Sequence, residues 1–191
     1  MKKTITSFIL LAVILTVSSA TKAQDPAYPD VAWTPVHTGT ESFYDLWGTS
    51  GSDVFAAGDL GTVFHYDGAA WTRMETGTYN ALRGIWGSSD SDVFAVGDGG
   101  TILHYDGRQW QAMESGTDAA LRDVWGNTGS DVFAAGERGT ILRYDGRKWV
   151  SMNSGTHVTL RGLWGTSGSD VFAVGHSGTI LHFGGARWTP M

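Results

Sequence analysis

The tryptophans of this chain fall at a fixed interval. Trp47, Trp86, Trp125 and Trp164 each precede a glycine and recur every 39 residues, and Trp71, Trp110, Trp149 and Trp188 keep the same spacing. Trp33 stands one residue out of step because the first copy is shorter. A period of this size marks a repeat architecture, in which one supersecondary unit is stacked because it cannot bury its apolar face alone. The repeat also restricts where function is sought. Residues common to all copies serve the repeat, and residues that differ between copies are free to serve a ligand.

One copy reads as four short strands. Leu82–Trp86 is the first, ended by the polar turn Gly87-Ser88-Ser89-Asp90-Ser91. Asp92–Val96, β-branched and aromatic, is the second and stops at Gly97-Asp98-Gly99-Gly100. Thr101–Tyr105 is the third, closed by the hairpin pair Asp106-Gly107, and Arg108–Met113 is the fourth. Short strands, glycine-rich turns and radial repetition predict an all-β fold, a β-propeller with blades at about 41–76, 80–115, 119–154 and 158–191. The nearly continuous apolar second strand fits a sheet covered on both faces by neighbouring blades. Pro35 and Pro190 fall in fourth strands, where an outer edge tolerates a missing donor.

The strand count does not close. Four sets of the first three strands face five candidate fourth strands, because residues 32–38 form an extra one. That segment is expected to complete the last blade, in place of Arg187–Met191 or in competition with it. A ring of four blades lies at the lower limit of a range of roughly 4–8. The sequence therefore leaves open a closed ring, an arc completed by self-association as a homodimer, or a stretch of a longer ring. An uncompleted arc exposes an edge strand and an apolar face.

The first 23 residues read as a secretory signal. Lys2 and Lys3 precede an apolar run from Phe8 to Val17, and small residues lead to cleavage near Ala20 or Ala23. No later segment is apolar enough to enter a membrane, and no cysteine follows to take a lipid. Residues 24–31 read as a short linker. The expected location is secreted, periplasmic or at the cell surface. Removal of Lys2, Lys3 and Lys22 leaves 10 basic side chains against 19 acidic ones, so the charge goes from −6 to −9. An acidic chain without basic blocks argues against nucleic acid or anionic lipid as partner. With no cysteine for disulfides, stability falls to packing, which nine tryptophans and eight phenylalanines can supply.

Two connections vary between copies. Those leading into the first strands read Glu41-Ser42-Phe43, Tyr79-Asn80-Ala81, Asp118-Ala119-Ala120 and His157-Val158-Thr159. Those between second and third strands read Asp59-Leu60, Asp98-Gly99, Glu137-Arg138 and His176-Ser177. Strand alternation puts both sets on one face of the disc, the candidate binding face, and the nearly uniform turns on the other. Tyr44, Arg83, Arg122 and Arg161 share a place near the start of the innermost strands. They offer guanidinium forks for a carboxylate or acidic sugar, or else pair with Asp59, Asp98 and Glu137 across blade boundaries.

Other repeated polar residues read as structural. His65, His104 and His182, with Arg143 in the fourth place, stand one per blade and too far apart to ligate one metal. Asp53, Asp92, Asp131 and Asp170 are expected to bond nearby backbone amides and fix a turn. The run Ser88–Asp92 lacks the spacing and terminal glutamate of a calcium loop. No metal or cofactor is expected.

The run Ser-Asp-Val-Phe-Ala-Val/Ala-Gly, followed by Gly-Thr-Ile-Leu-His-Tyr-Asp-Gly-x-x-Trp, resembles bacterial exported propeller repeats. These belong to the broad Asp-box (BNR) and photosystem II assembly factor-like group. The resemblance implies that Asp67–Trp71, Asp106–Trp110 and Asp145–Trp149 end an Asp-box, whose Asp and Trp lock the hairpin between third and fourth strands. The last copy, Gly184–Trp188, lacks the aspartate. The group mixes scaffolds, lectins and hydrolases, so it implies a fold more strongly than a function. The expected function is a non-catalytic exported module that binds a protein or peptide on its variable face. The alternative is a multivalent lectin using Tyr44, Tyr79 and loop Asp/Asn residues. A sialidase-like hydrolase ranks third: the arginines and Tyr44 suit its substrate carboxylate and nucleophile, but no unique acid breaks the repeat.

Overall fold

The computed structural model describes residues 39–191. The expected signal, linker and extra strand (1–23, 24–31 and 32–38) lie outside the described residues. The rest forms four sheets of four antiparallel strands, each ordered in sequence from inside to outside. Blade 1 comprises β1 (Phe43–Ser50), β2 (Asp53–Gly58), β3 (Val63–Tyr66) and β4 (Trp71–Met74). Blade 2 comprises β5 (Leu82–Ser89), β6 (Asp92–Gly97), β7 (Ile102–Tyr105) and β8 (Trp110–Ala112). Blade 3 comprises β9 (Leu121–Thr128), β10 (Asp131–Gly136), β11 (Ile141–Tyr144) and β12 (Trp149–Met152). Blade 4 comprises β13 (Leu160–Ser167), β14 (Asp170–Gly175), β15 (Ile180–Phe183) and β16 (Trp188–Pro190).

The first strand is longer than the sequence predicts. It runs on through the glycine after the tryptophan, and a register shift between Gly87 and Ser89 carries the chain into Asp92. A bulge absorbs one residue and increases local twist, so a polar stretch that resembles a loop still pairs. Blade 4 takes its outer strand from its own C-terminal residues: Trp188, Thr189 and Pro190 lie opposite Phe183, His182 and Leu181. Pro190 sits on an outer edge, as its missing donor requires.

The innermost strands pack in the order β1, β5, β9, β13. Between successive blades lie three apolar cores of one design. Phe55, Ala57 and Val63 of blade 1 meet Leu82, Ile85, Val93 and Leu103 of blade 2, and the equivalent residues join blades 2 and 3 and blades 3 and 4. Among the described residues no such core joins blade 4 to blade 1. Leu46 on β1 is 69% exposed, whereas its equivalent Ile85 is 3% exposed. On the other end Trp164 is 59% exposed. The described residues thus form an open arc of four blades rather than a closed four-bladed ring.

Within each blade, a side-chain bond ties the second strand to the third. His65 Nε2 lies 2.6 Å from Asp53, His104 Nε2 2.6 Å from Asp92, and His182 Nε2 2.8 Å from Asp170. In blade 3 Arg143 Nε donates to Asp131 at 2.8 Å. Each imidazole also stacks on the phenylalanine opposite it, with centroids 4.3 Å apart for Phe55 and His65. The repeated histidines are thus structural. The aspartates also take side-chain partners in the preceding turn: Thr49 and Thr166 donate to Asp53 and Asp170 at 2.5 Å, and Asp53 accepts the Thr49 backbone amide as well.

Candidate functional site

The variable face is built by a bond repeated in every blade. The amide after the second strand donates to the carbonyl of the connection that precedes the first. These bonds, Asp59 to Ser42, Asp98 to Ala81, Glu137 to Ala120 and His176 to Thr159, are each 2.9 Å. The two variable connections therefore lie side by side. On the opposite side Gly68, Gly107 and Gly146 press against Ser52, Ser91 and Ser130. There Asp67, Asp106 and Asp145 each accept two amide bonds of 2.9 Å from the hairpin that follows. Those amides hold all three carboxyls below the usual range.

The turn between second and third strands is tight, and its second residue is left-handed: Leu60 has φ 53°, Gly99 65°, Arg138 56° and Ser177 56°. Only Gly99 adopts that region without strain. The turn thus tolerates residue types it does not favour, which leaves Leu60 and Arg138 projecting at the face.

Tyr44, Arg83, Arg122 and Arg161 form a row along the inner ends of the blades. Each falls in a register break of its first strand, between Phe43 and Asp45, Leu82 and Gly84, Leu121 and Asp123, and Leu160 and Gly162. A bulge residue is unpaired in the ladder and its side chain is re-aimed. Here it is aimed at the residue fifteen positions on, just past the end of the neighbouring strand. The Tyr44 hydroxyl donates to Asp59. Arg83 grips Asp98 with two bonds, 3.1 Å from Nε and 2.7 Å from Nη2. Arg122 pairs with Glu137, and Arg161 Nε donates to His176 Nε2 at 3.0 Å.

These pairs close within a blade, not across the boundary as the sequence suggested. The exception is Arg122, whose second arm reaches Asp98 of blade 2 at 3.4 Å. The guanidinium of Arg83 also lies over the Tyr44 ring of blade 1, 4.2 Å from its centre. Asp98, held chiefly by the Arg83 fork, titrates below the usual carboxylate range. The Tyr44 hydroxyl is pushed up, first by its bond to Asp59. Two of the three arginines are therefore committed to carboxylates. Arg161 is exposed, and among the described residues no carboxylate pairs with it.

The remaining loop residues lie farther out. Arg138 pairs with Asp118. Asn80 Nδ2 donates to Thr101 at 2.8 Å, which fixes its amide. Tyr79 is 88% exposed and, with Leu60, Glu75 and Thr78, lines a shallow cleft of about 280 Å³. His157 is exposed.

Two carboxylates escaped the sequence reading. Asp45 accepts the Ile85 amide of blade 2 at 2.9 Å, and Asp123 accepts the Leu163 amide of blade 4 at 2.6 Å. Each also accepts the amide of its own next residue. Burial pushes the Asp45 carboxyl up and that of Asp123 to about 6. The signal was visible as an alternation, Asp45, Gly84, Asp123, Gly162, with a period of two copies.

No protein-family model and no curated protein matches the chain. Solved structures do. A structure of YCF48 bound to D1 peptide matches with a TM-score of 0.63 at 16% identity, over 79% of this chain and 55% of that one. YCF48 from Cyanidioschyzon merolae matches with a TM-score of 0.66 at 15% identity, over 83% of this chain and 59% of that one. The chain thus spans under three fifths of the length of either. At such identities the likeness is one of fold: the four sheets are blades of a β-propeller like that of YCF48, a photosystem II assembly factor.

Proposed function

We propose that this protein is an exported, non-catalytic β-propeller module that binds an acidic peptide segment, or a free peptide carboxylate, on its variable loop face. The observation that carries the proposal is Arg161. It ends a row in which Arg83 and Arg122 are neutralised by Asp98 and Glu137, and it lacks a carboxylate of its own among the described residues. A guanidinium with a free edge accepts a carboxylate in a charge-assisted, two-pronged contact. On the same face, at the boundary of blades 1 and 2, the cleft beside Tyr79 and Leu60 offers apolar surface for a side chain of an extended segment. That a propeller of the same fold has been solved with a bound peptide agrees with this reading.

A hydrolase fits the geometry poorly. Its arginine cluster would have to be free for a substrate carboxylate, and Tyr44 would have to lose its proton readily. Instead two of the three arginines are held by Asp98 and Glu137, and the Tyr44 hydroxyl, which donates to Asp59, is raised rather than lowered in pKa. The lectin alternative enters as an outcome of the test. Acidic and neutral peptides arrayed beside a glycan panel should show capture of acidic peptides, weakened by salt and by about tenfold or more in Arg161→Gln. Capture of glycans alone, or peptide binding indifferent to Arg161→Gln, overturns the proposal.

A further inference from the structure

The three internal junctions share specific contacts, and each contact leaves one unused half at either end of the arc. The tryptophan of one blade lies on the glycine of the next: a Cβ on Gly87 would sit 2.6 Å from the Trp47 ring, on Gly126 2.5 Å from Trp86, and on Gly165 2.7 Å from Trp125. The halves left over are Trp164, largely exposed, and Gly48, whose nearest neighbours belong to its own strand pair. At two of the three junctions Asp92 likewise abuts Gly129 of the next blade and Asp131 abuts Gly168, at 1.8 and 1.6 Å from a Cβ placed there, whereas blade 2 carries Asp90 in the glycine's place. Asp170 and Gly51 are left over, and nothing lies within 4 Å of a Cβ on Gly51.

The alternation near the axis agrees. Gly84 packs against the backbone of Asp123, 2.9 Å from a Cβ to Cα, so an aspartate strand follows a glycine strand there. At the far end Gly162 has an open flank, and the blade that matches it must begin with aspartate. Blade 1 does, at Asp45. The two free faces are also apolar where the junctions are apolar, with Leu46 on one and Val174 and Ile180 on the other, each exposed.

From these complementary halves we propose that a second copy of this chain completes the propeller. The blade 4 face of each copy packs on the blade 1 face of the other, and two arcs of four form a ring of eight blades. Such head-to-tail contacts form rings when the rotation closes. Eight lies at the upper end of the usual range of about 4–8. The proposal does not depend on the peptide reading, since the junction faces are the flanks of the end blades rather than the loop face.

Light scattering on the purified chain tests it. The expected mass is twice that of one chain, and Val174→Glu or Leu46→Glu should each weaken dimerisation by roughly 100-fold or more, with circular dichroism unchanged. Because each variant keeps one sound face, mixing the two should restore a dimer that neither forms alone. A wild-type chain that stays monomeric at about 100 μM overturns the proposal. So does a ladder of ever larger species, or a mixture of variants that stays monomeric. Peptide capture by a monomer would leave the functional reading standing while this one falls.

Discussion

The interior junctions and the end faces of this arc are built from the same residues and hold very different energies. Phe94 lies between blades 2 and 3, fully buried, with His104 stacked on it and Trp149 edge-on at 6.1 Å. Phe172 has the same place in blade 4 and its own stacked His182, yet only part of it is covered, because among the described residues no further blade lies against it. Val96 is fully buried, whereas Val174 is 46% exposed. The repeat specifies the side chain, and its neighbour decides what that side chain contributes. A stacked-repeat protein is therefore strongest in its middle and weakest at its ends.

The largest test of this contrast is truncation of the paired phenylalanines. Phe94→Ala should cost about 3–5 kcal/mol, the range for a buried aromatic that leaves a cavity. Phe172→Ala should cost about 1 kcal/mol in dilute solution, because one side of the ring already faces water. Urea denaturation followed by tryptophan fluorescence measures both. Equal losses would mean that something covers the end face even in single chains.

The glycines of the second turn sharpen the comparison further. Gly139 and Gly178 are both left-handed at φ 68°. A Cβ on Gly139 would lie 2.1 Å from the Thr156 carbonyl oxygen in the connection to the next blade, whereas one on Gly178 meets nothing within 4 Å. Gly178→Ala should cost only the left-handed strain, about 1 kcal/mol. Gly139→Ala must also displace the backbone of the connection to the next blade and should cost about 3 kcal/mol. Thermal unfolding of the two variants reads the difference directly, and a cost at Gly178 as large as that at Gly139 would place a backbone against the end of blade 4.

Strand positions, blade number and the division into a variable and a uniform face were legible because each follows from period and turn chemistry. Trp47 and its three equivalents announce the repeat, and Asp106-Gly107 announces its hairpin. The destinations of side chains were less legible. Arg83 and its counterparts sit at bulges, and a single sequence does not show where a register slips by one residue. Their pairing within a blade rather than across the boundary follows from that slip. Leu46 and Val174 carry no sign in the chain that they lack a neighbour, since exposure depends on a blade that the repeat does not contain. The Asp45–Asp123 alternation was present in the letters, but its meaning needed the backbone amides of the next blade.

The same comparison has a pH dependence, smaller than the packing effects. Asp45 begins the arc and Asp123 lies within it; both carboxyls are raised by burial, that of Asp123 to about 6. An acid whose folded pKa exceeds its unfolded value holds its proton more tightly when folded. Its contribution is thus fully present below the unfolded pKa, near 3.8, and is lost as pH rises through about 6. Lowering the pH from about 7 to about 5 should therefore stabilise the wild type by about 1 kcal/mol through Asp123 alone. Below about 4 the trend reverses, because Asp67, Asp98, Asp106 and Asp145 are held low and lose their bonds on protonation. The difference between wild-type and Asp123→Asn unfolding free energies across that range isolates the buried group, since the other titrations are common to both. Asp45→Asn should show a shallower slope in the same measurement, because Asp45 lies on the blade whose outer side is uncovered. A slope at Asp45 as steep as at Asp123 would mean that Asp45 is buried as deeply at the axis as Asp123, as it is in a completed ring.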